Sequence, residues 1–198
     1  MKETGSKGGK REAIIEAGVK VFSEKGYHNA RMEEIALEAG IGKGTIYEYF
    51  DSKLQLLQEV MISGMEKYYD TLKTTGLNDI SFRERLYLIM EGHIRFCINN
   101  KQLTRIVFWD TEIFDEELKE WGYSHRKEKE DRLCDMITEA IRHGELRQLD
   151  ARLATFMIVG ILSSIWAPIT LEDWNEDAAE LAEKMTDFIM NGIAAETD

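Results

Sequence analysis

Proline occurs only once in this chain of 198 residues, at position 168. Because proline removes a backbone donor and clashes with the preceding helical turn, a chain almost without it is free to be helical nearly throughout. No stretch alternates apolar and polar residues for long enough to indicate a β-strand. The sequence therefore predicts an all-α protein.

The spacing of apolar residues divides the chain into about nine helices. In the first, residues 11–25, the apolar positions from Ile14 to Phe22 recur at three- and four-residue steps, and Gly26 closes the helix. Ser52 begins a Ser-x-x-Gln capping box, which marks the start of the fourth helix. The helices predicted after the first span residues 32–39, 43–50, 52–75, 81–99, 103–112, 115–143, 151–167 and 175–192.

Charge is divided unevenly along the chain. The formal net charge is −12, yet residues 1–53 carry as many acidic as basic side chains, so the whole negative excess lies in residues 54–198. A surface that binds anions is therefore expected only in the first quarter of the chain. Residues 1–10, rich in glycine and lysine, are predicted to be a flexible basic arm.

The composition favours a soluble protein of the cytoplasm. Residues 1–10 are polar and resemble no signal peptide, and the two cysteines, Cys97 and Cys134, offer no disulfide framework. We interpret these cysteines as ordinary core thiols in preference to a redox switch. Residues 153–171 carry no charge and are nominally long enough to cross a bilayer. A helix buried between its own core and a partner subunit has the same character, and we favour that interpretation, with no membrane association.

The stretch GIGKGTIYEYFDSK, residues 40–53, combines glycines and lysines as phosphate-binding loops do. A P-loop, however, needs a hydroxyl residue directly after Gly-Lys, and here Gly44 follows Lys43. A dinucleotide fingerprint fails as well, because Thr45 stands at its third glycine. Both motifs also follow a β-strand, whereas the residues before Gly40 are charged and helix-forming. The sequence thus argues against a nucleotide site.

Two short predicted helices flank the turn at residues 40–42, as in a helix-turn-helix. Residues 14–57, with FSEKGY and IALEAGIGKGTIYEYFDSK as the most specific parts, closely resemble the DNA-binding domain of the tetracycline-repressor (TetR) family. Beyond them the resemblance is one of helical layout and length. It implies a DNA-binding domain over residues 11–53 and a larger helical domain over residues 54–198 that binds a ligand and dimerises.

The resemblance also implies which residues of the head contact DNA. Residues 43–50 would form the recognition helix, with Ile46 and Phe50 packed on the head. Backbone amides at the start of a helix favour phosphate oxygens, and hydroxyl and amino groups reach phosphates or base edges. The implied DNA-contacting residues are Gly42, Lys43, Gly44, Thr45, Tyr47, Tyr49 and Lys53.

Three positions depart from the family pattern. Gly42 replaces a hydroxyl residue, and Arg31 replaces a threonine that both caps the second helix and binds phosphate. Arg31 cannot cap a helix, so contact with phosphate and simple solvation remain equal alternatives. Glu48 lies inside the recognition helix, where an acidic side chain repels the DNA backbone. Because glutamate accepts a hydrogen bond from cytosine N4, we hypothesise that Glu48 contributes base selectivity.

The larger domain is expected to bind a small-molecule effector. Its aromatic and sulfur side chains are compatible with a soft apolar cavity, although most of them would also suit an ordinary core. His93 is a candidate polar contact, with a satisfied core or surface histidine as the alternative. The acidic charge favours an apolar or cationic effector. The candidate effector residues are Met65, Met90, His93, Phe96, Trp109 and Phe156.

Dimerisation is expected through the uncharged helix and the last helix. Both have an apolar face that serves either the internal core or a partner subunit, and we expect both uses. The candidate interface residues are Ala154, Val159, Ser163, Trp166, Leu181, Met185 and Phe188.

The predicted function is a homodimeric transcriptional regulator that binds double-stranded operator DNA, most simply a repressor released by its effector. An enzyme is the main alternative, but the four histidines form no H-x-x-x-H pair, the cysteines form no C-x-x-C, and no nucleophile motif is present. No cofactor or metal ion is therefore expected. A helical interaction module that has lost DNA binding is a third possibility, raised by Arg31, Gly42 and Glu48.

Overall fold

The computed structural model describes residues 7–72, 80–109, 116–172, 174 and 176–192. This part of the chain contains nine helices and no strand, so the all-α prediction is confirmed. The helices are α1 (Lys7–Asn29), α2 (Met32–Glu38), α3 (Lys43–Ile46), α4 (Lys53–Thr71), α5 (Phe82–Asn99), α6 (Lys101–Trp109), α7 (Glu116–Arg142), α8 (Ala151–Leu171) and α9 (Ala178–Asn191).

The chain forms two compact units. Unit 1 comprises Met1–Lys67 and Asn100–Ile113, and unit 2 comprises Tyr68–Asn99 and Phe114–Asp198. Unit 1 therefore contains α1 to α3, most of α4, and α6. The predicted functional boundary after residue 53 falls inside unit 1, at the start of α4.

The first helix begins earlier than predicted, and it runs past the predicted end at Gly26 to Asn29. α1 starts at Lys7, so residues 7–10 of the predicted flexible arm are helical, while residues 1–6 lie outside the described residues. Gly26 interrupts the helix with φ 71° and ψ 164°, a conformation open to glycine and strained for other residues. The chain therefore changes direction at Gly26, before α2.

Unit 1 is built around a core from the helix faces that the sequence pattern indicates. α1 packs against both α2 and α6, and α2 packs against α3. α4 approaches α6 closely at Gly64, where a Cβ atom would lie 2.8 Å from Leu103 Cδ1. The main buried residues are Ile14, Val21, Phe22, Ile35, Ala36, Ile46, Phe50, Leu56, Val60, Ile106 and Val107.

Unit 2 is a helical bundle in which α5 packs against α8 and α9, and α7 packs against α8. Its helix starts are well capped: Glu84 accepts a hydrogen bond from Ser81 N–H (2.9 Å) before α5, and the Asp150 side chain accepts from Leu153 N–H (3.0 Å) at α8. Its core comprises Phe82, Leu86, Met90, Ile94, Cys97, Ile137, Ile158, Leu162, Ile169, Leu181 and Met185, among others.

α8 continues through Pro168, although the sequence predicted its end at residue 167. The missing proline N–H leaves only the carbonyl of Ser164 without its usual helical donor, and Ser164 is exposed to water. α8 is the one described helix that is long and apolar enough to cross a membrane, and 28% of its most apolar window is buried. Such a helix has an apolar face that its own unit does not cover.

Candidate DNA-binding site

Two glycines with different roles build the turn between α2 and α3. Gly40 has a φ of 68°, which favours glycine. Its N–H donates to the carbonyl of Leu37 (3.1 Å), and the N–H of Ile41 donates to the carbonyl of Ala36 (2.9 Å). This pair of bonds is the Schellman motif that ends a helix. Gly42 has extended backbone and is the N-cap of α3, so the chain passes from one helix to the next in a few residues.

The recognition segment is less regular than predicted. Only Lys43–Ile46 is α-helical, and residues 47–49 continue as turns. In these turns the hydrogen bonds close over three residues, as from the N–H of Glu48 to the carbonyl of Thr45 (3.1 Å). The predicted helix over residues 43–50 is therefore one α-helical turn followed by a tighter turn.

The recognition segment has one buried and one exposed face. Ile46 and Phe50 are buried, as predicted, and anchor the segment to the core of unit 1. Thr45 and Tyr49 are partly exposed. The side of the turn and segment that faces water carries Gly42, Lys43, Gly44, Tyr47 and Glu48.

Three glutamates of α2 each hold a lysine from a neighbouring helix. The hydrogen bond from Glu33 raises the pKa of Lys43, and the bond from Lys43 lowers the pKa of Glu33, so both groups stay charged. All three pairs are open to solvent, where salt screens them. The pairs, with their N···O distances, are Glu33 with Lys43 (2.7 Å), Glu34 with Lys25 (2.9 Å) and Glu38 with Lys20 (2.7 Å).

Arg31 is the N-cap residue of α2, and its backbone N–H, not its side chain, takes part in the capping. Glu34 accepts a hydrogen bond from the backbone N–H of Arg31 (3.2 Å), which supplies half of a capping box. The side chain of Arg31 is exposed, and none of the ion pairs among the described residues includes it. A threonine at this position would instead accept from an N–H inside α2, and the exposed Arg31 guanidinium, which has no acceptor, faces solvent.

Lys53 is in a different position from Lys43. Its Nζ donates to the backbone carbonyls of Tyr27 (2.6 Å), His28 (3.2 Å) and Ala30 (2.9 Å), and lies 4.4 Å from the centre of the Tyr27 ring. These contacts are within unit 1 and join the start of α4 to the last turn of α1 and to Ala30, which follows it.

Unit 2 contains a buried polar cluster at His93. The Nδ1 atom of His93 lies 2.9 Å from the hydroxyl of Tyr68, and Nε2 lies 3.6 Å from Cys97 Sγ. Burial lowers the pKa of His93 to about 4, against the opposing effect of a hydrogen bond to the backbone of Leu162. The imidazole is therefore neutral at neutral pH, and it is hydrogen-bonded on both sides if Nδ1 accepts from Tyr68 and the other nitrogen donates to Leu162.

The candidate effector residues have different environments. Met90 and Phe96 are buried in unit 2, and Phe96 stacks edge-on with Tyr68 at 5.2 Å. Met65 in α4 is partly exposed, and the side chain of Trp109 lies outside the described residues. Phe156 is 50% exposed on α8, so within unit 2 it is a surface residue.

The candidate interface residues divide between core and surface. Leu181 and Met185 were expected to serve the internal core as well as a partner subunit, and both are buried within unit 2 because α9 turns this side onto α5. Phe188, seven residues after Leu181 on α9, is nevertheless 52% exposed. On α8, Ser163 is exposed, and the partly buried members of the set are Ala154, Val159 and Trp166.

Sequence reasoning missed two kinds of residue. Leu153 and Met157 expose 57% and 63% of their surface beside Phe156 on α8. Leu153 precedes Phe156 by three residues and Met157 by four, and this helical spacing was a usable signal within the uncharged stretch. Glu33, the partner of Lys43, had no such signal, because the two residues belong to different helices.

Two short helices joined by a tight glycine turn, anchored on a third helix and exposing a polar face, define a helix-turn-helix protein. Residues 14–60 match the family described as "Bacterial regulatory proteins, tetR family", and residues 79–193 match "Tetracyclin repressor-like, C-terminal domain". The chain belongs to the TetR family of DNA-binding transcriptional regulators.

Individual relatives agree with this assignment. The chain is 27% identical, over 181 residues, to the fatty acid metabolism regulator protein of Bacillus subtilis (strain 168), covering 91% of this chain and 93% of that protein. It is similar to the crystal structure of FadR from Bacillus subtilis in complex with stearoyl-CoA, with a TM-score of 0.79, 27% identity and coverage of 92% and 99%. It is also similar to the fatty acid degradation regulator FadR from Bacillus halodurans, with a TM-score of 0.80, 26% identity and coverage of 98% and 100%.

Proposed function

We propose that the protein is a homodimeric repressor that leaves its operator when a long-chain acyl-CoA binds in unit 2. The observation that carries the DNA-binding part is the exposed polar face of the turn and α3, held by buried Ile46 and Phe50 on a head that matches the family over residues 14–60. The effector class rests on the relative whose structure contains stearoyl-CoA.

The proposed DNA contacts follow from exposure. Lys43 supplies charge to phosphate, and Gly44 lets the backbone approach, because no atom lies within 4 Å of where its Cβ would be. Glu48 is exposed, and no ion pair among the described residues neutralises it. The remaining proposed contacts are Arg31, Gly42, Thr45, Tyr47 and Tyr49.

Dimerisation is supported by the uncovered face of α8. Leu153, Phe156 and Met157 each expose half or more of their surface and adjoin the exposed small residues Gly160 and Ser163. An apolar surface of this kind marks a protein interface, and small residues allow helices to approach closely. Phe188 on α9 is a further exposed apolar residue. We therefore base the interface on these residues and assign Phe156 to it in preference to the effector site.

The interface has a direct test. Phe156→Asp combined with Met157→Asp introduces charge into the proposed interface, and sedimentation velocity should then find a monomer where the unmodified chain is a dimer. Tyr123→Asp is the matched control, because Tyr123 is 58% exposed on α7. A dimer that survives the double substitution would place the interface elsewhere.

The acyl chain of an acyl-CoA agrees with the expected apolar effector, but its nucleotide end does not. That end is anionic, whereas the acidic composition favoured an apolar or cationic ligand. The acyl chain suits the buried aromatic and sulfur side chains of unit 2, such as Met90 and Phe96. His93 is neutral, so it would serve as a polar contact without charge.

The experiment is a fluorescence anisotropy titration with DNA that flanks the coding region of the protein. We expect saturable binding that Lys43→Met weakens and Lys184→Met leaves unchanged, since Lys184 forms comparable exposed pairs with Glu176 and Glu180 in unit 2. Stearoyl-CoA should release the DNA, whereas free stearate and coenzyme A should not. Operator binding that ignores acyl-CoA would refute the effector, and the absence of any specific DNA binding would favour an interaction module.

A further inference from the structure

We propose that Lys53 positions the DNA-binding head and does not contact phosphate. The family resemblance assigned this lysine to the DNA backbone. In the structure its ammonium group instead sits among three backbone carbonyls, those of Tyr27, His28 and Ala30. This inference rests on the operator binding proposed above and concerns how the head is prepared for it.

The hydrogen-bonding capacity of Lys53 is already used. A lysine ammonium group has three N–H donors and no acceptor. The three carbonyl oxygens lie at 2.6, 3.2 and 2.9 Å from Nζ, so each donor has an acceptor. The Tyr27 ring, 4.4 Å from Nζ at its centre, adds an attraction for the positive charge. A phosphate oxygen would have to replace one of these contacts.

Two of the three carbonyls, those of Tyr27 and His28, belong to the last turn of α1, where carbonyls have no donor within the helix, and the third, that of Ala30, follows the helix. The chain departs from helical geometry at Gly26, and Tyr27, His28 and Ala30 follow before α2 begins at Met32. Carbonyls at the end of a helix carry partial negative charge, which a cation stabilises. Lys53 thus completes the end of α1 from the first residue of α4.

The contacts connect three helices. Lys53 begins α4, its acceptors follow the kink in α1, and the last acceptor precedes the N-cap of α2, Arg31, by one residue. The position of α2, and with it the turn that starts α3, is therefore tied to the start of α4. Lys43 differs from Lys53 in its exposure and in its partner: its side chain is 69% exposed and its partner is a single carboxylate.

The salt dependence of operator binding separates the two roles. Each lysine that neutralises a phosphate contributes about 0.9 to the slope of log K against log salt, so a dimer loses about 1.8 when both copies are removed. Lys43→Met should show this loss. Lys53→Met should weaken binding about tenfold or more at every salt concentration, with a change in slope below about 0.5, because charge-assisted bonds that hold the head are lost. A slope loss equal to that of Lys43→Met would overturn the proposal.

A second measurement needs no substitution. In the unmodified protein labelled with ¹⁵N at lysine, the Lys53 ammonium protons should exchange slowly with water without DNA and remain unchanged in the operator complex. Exchange as fast as that of Lys20, or a coupling to ³¹P in the complex, would overturn the proposal. The DNA-free spectrum tests the three carbonyl contacts even if Lys53→Met fails to fold or no operator binds, so their failure is distinguishable from failure of the proposed function.

Discussion

The close approach of α5 to the end of α4 makes Gly92→Ala destabilising, although alanine is the better helix former. A Cβ atom at Gly92 would lie 2.7 Å from the Thr71 carbonyl oxygen and 3.1 Å from Leu72 Cα, whereas ordinary contact begins at 3.4 Å. Both neighbours are backbone atoms, so the α4 end must move. Overpacking of this kind costs about 1–3 kcal/mol, against about 0.5–1 kcal/mol gained from helix propensity. We expect a net loss of about 1 kcal/mol, or about 2–4 °C in Tm.

Gly122→Ala is the matched control, because the same substitution in α7 meets no atom within 4 Å. Gly122→Ala should gain only the higher helix propensity of alanine, which raises Tm by a few degrees. Thermal unfolding followed by circular dichroism measures both variants, at equal protein concentration because the proposed dimerisation would shift the apparent stability. If Gly92→Ala is as stable as Gly122→Ala, the end of α4 moves away from the added Cβ atom at little cost in free energy, and the reasoning is refuted.

Three further predictions concern single side chains. Glu33→Gln frees Lys43 from its partner, so operator affinity should rise at low salt, and Glu38→Gln, which frees Lys20, should have the smaller effect in the same anisotropy titration. Glu48→Ala should change the order of affinities for operators that differ at single base pairs, and an unchanged order would dismiss Glu48 as a base contact. Burial lowers the pKa of His93 from 6.5 in the unfolded chain to about 4 in the folded protein. Below pH 6.5 the unfolded chain therefore binds more protons than the folded protein, and the free energy of unfolding decreases as the pH is lowered. The loss from pH 7 to 5 should be about 2 kcal/mol and absent in His93→Asn, as urea unfolding at both pH values would measure.

Local signals made the helix boundaries predictable. Gly26, Gly40 and Gly192 were expected at helix ends, and all three have positive φ values. Ile46 and Phe50 were expected on the buried side of the recognition segment, since four-residue spacing puts them on one face. These features depend on residues close in sequence, and that is why the sequence alone reveals them.

Features that depend on distant residues were not predictable. The sequence of an apolar face does not show which surface covers it, so both the internal core and a partner subunit were expected at Leu181 and Met185, and only the fold shows that α5 covers them. The continuation of α8 through Pro168 depends on water reaching the exposed Ser164. The carbonyls that surround Lys53 lie more than twenty residues before it, and only the fold brings them to its ammonium group.

The charges of unit 1 explain how so acidic a chain can still bind DNA selectively. Residues 1–53 have no net charge, and three of their lysines are held by α2 glutamates in exposed pairs. A DNA phosphate can take the place of such a carboxylate beside the lysine, but the lysine–glutamate ion pair is then lost. The affinity for DNA of any sequence is therefore lower than it would be with unpaired lysines. Under the proposed function, binding then depends more on contacts that require the correct site, among them the proposed base contacts of Tyr47 and Glu48 and the two heads of the proposed dimer. A head with unpaired lysines would bind DNA more tightly and discriminate less between sequences. Comparing the affinities of Glu33→Gln for specific and non-specific DNA tests this expectation.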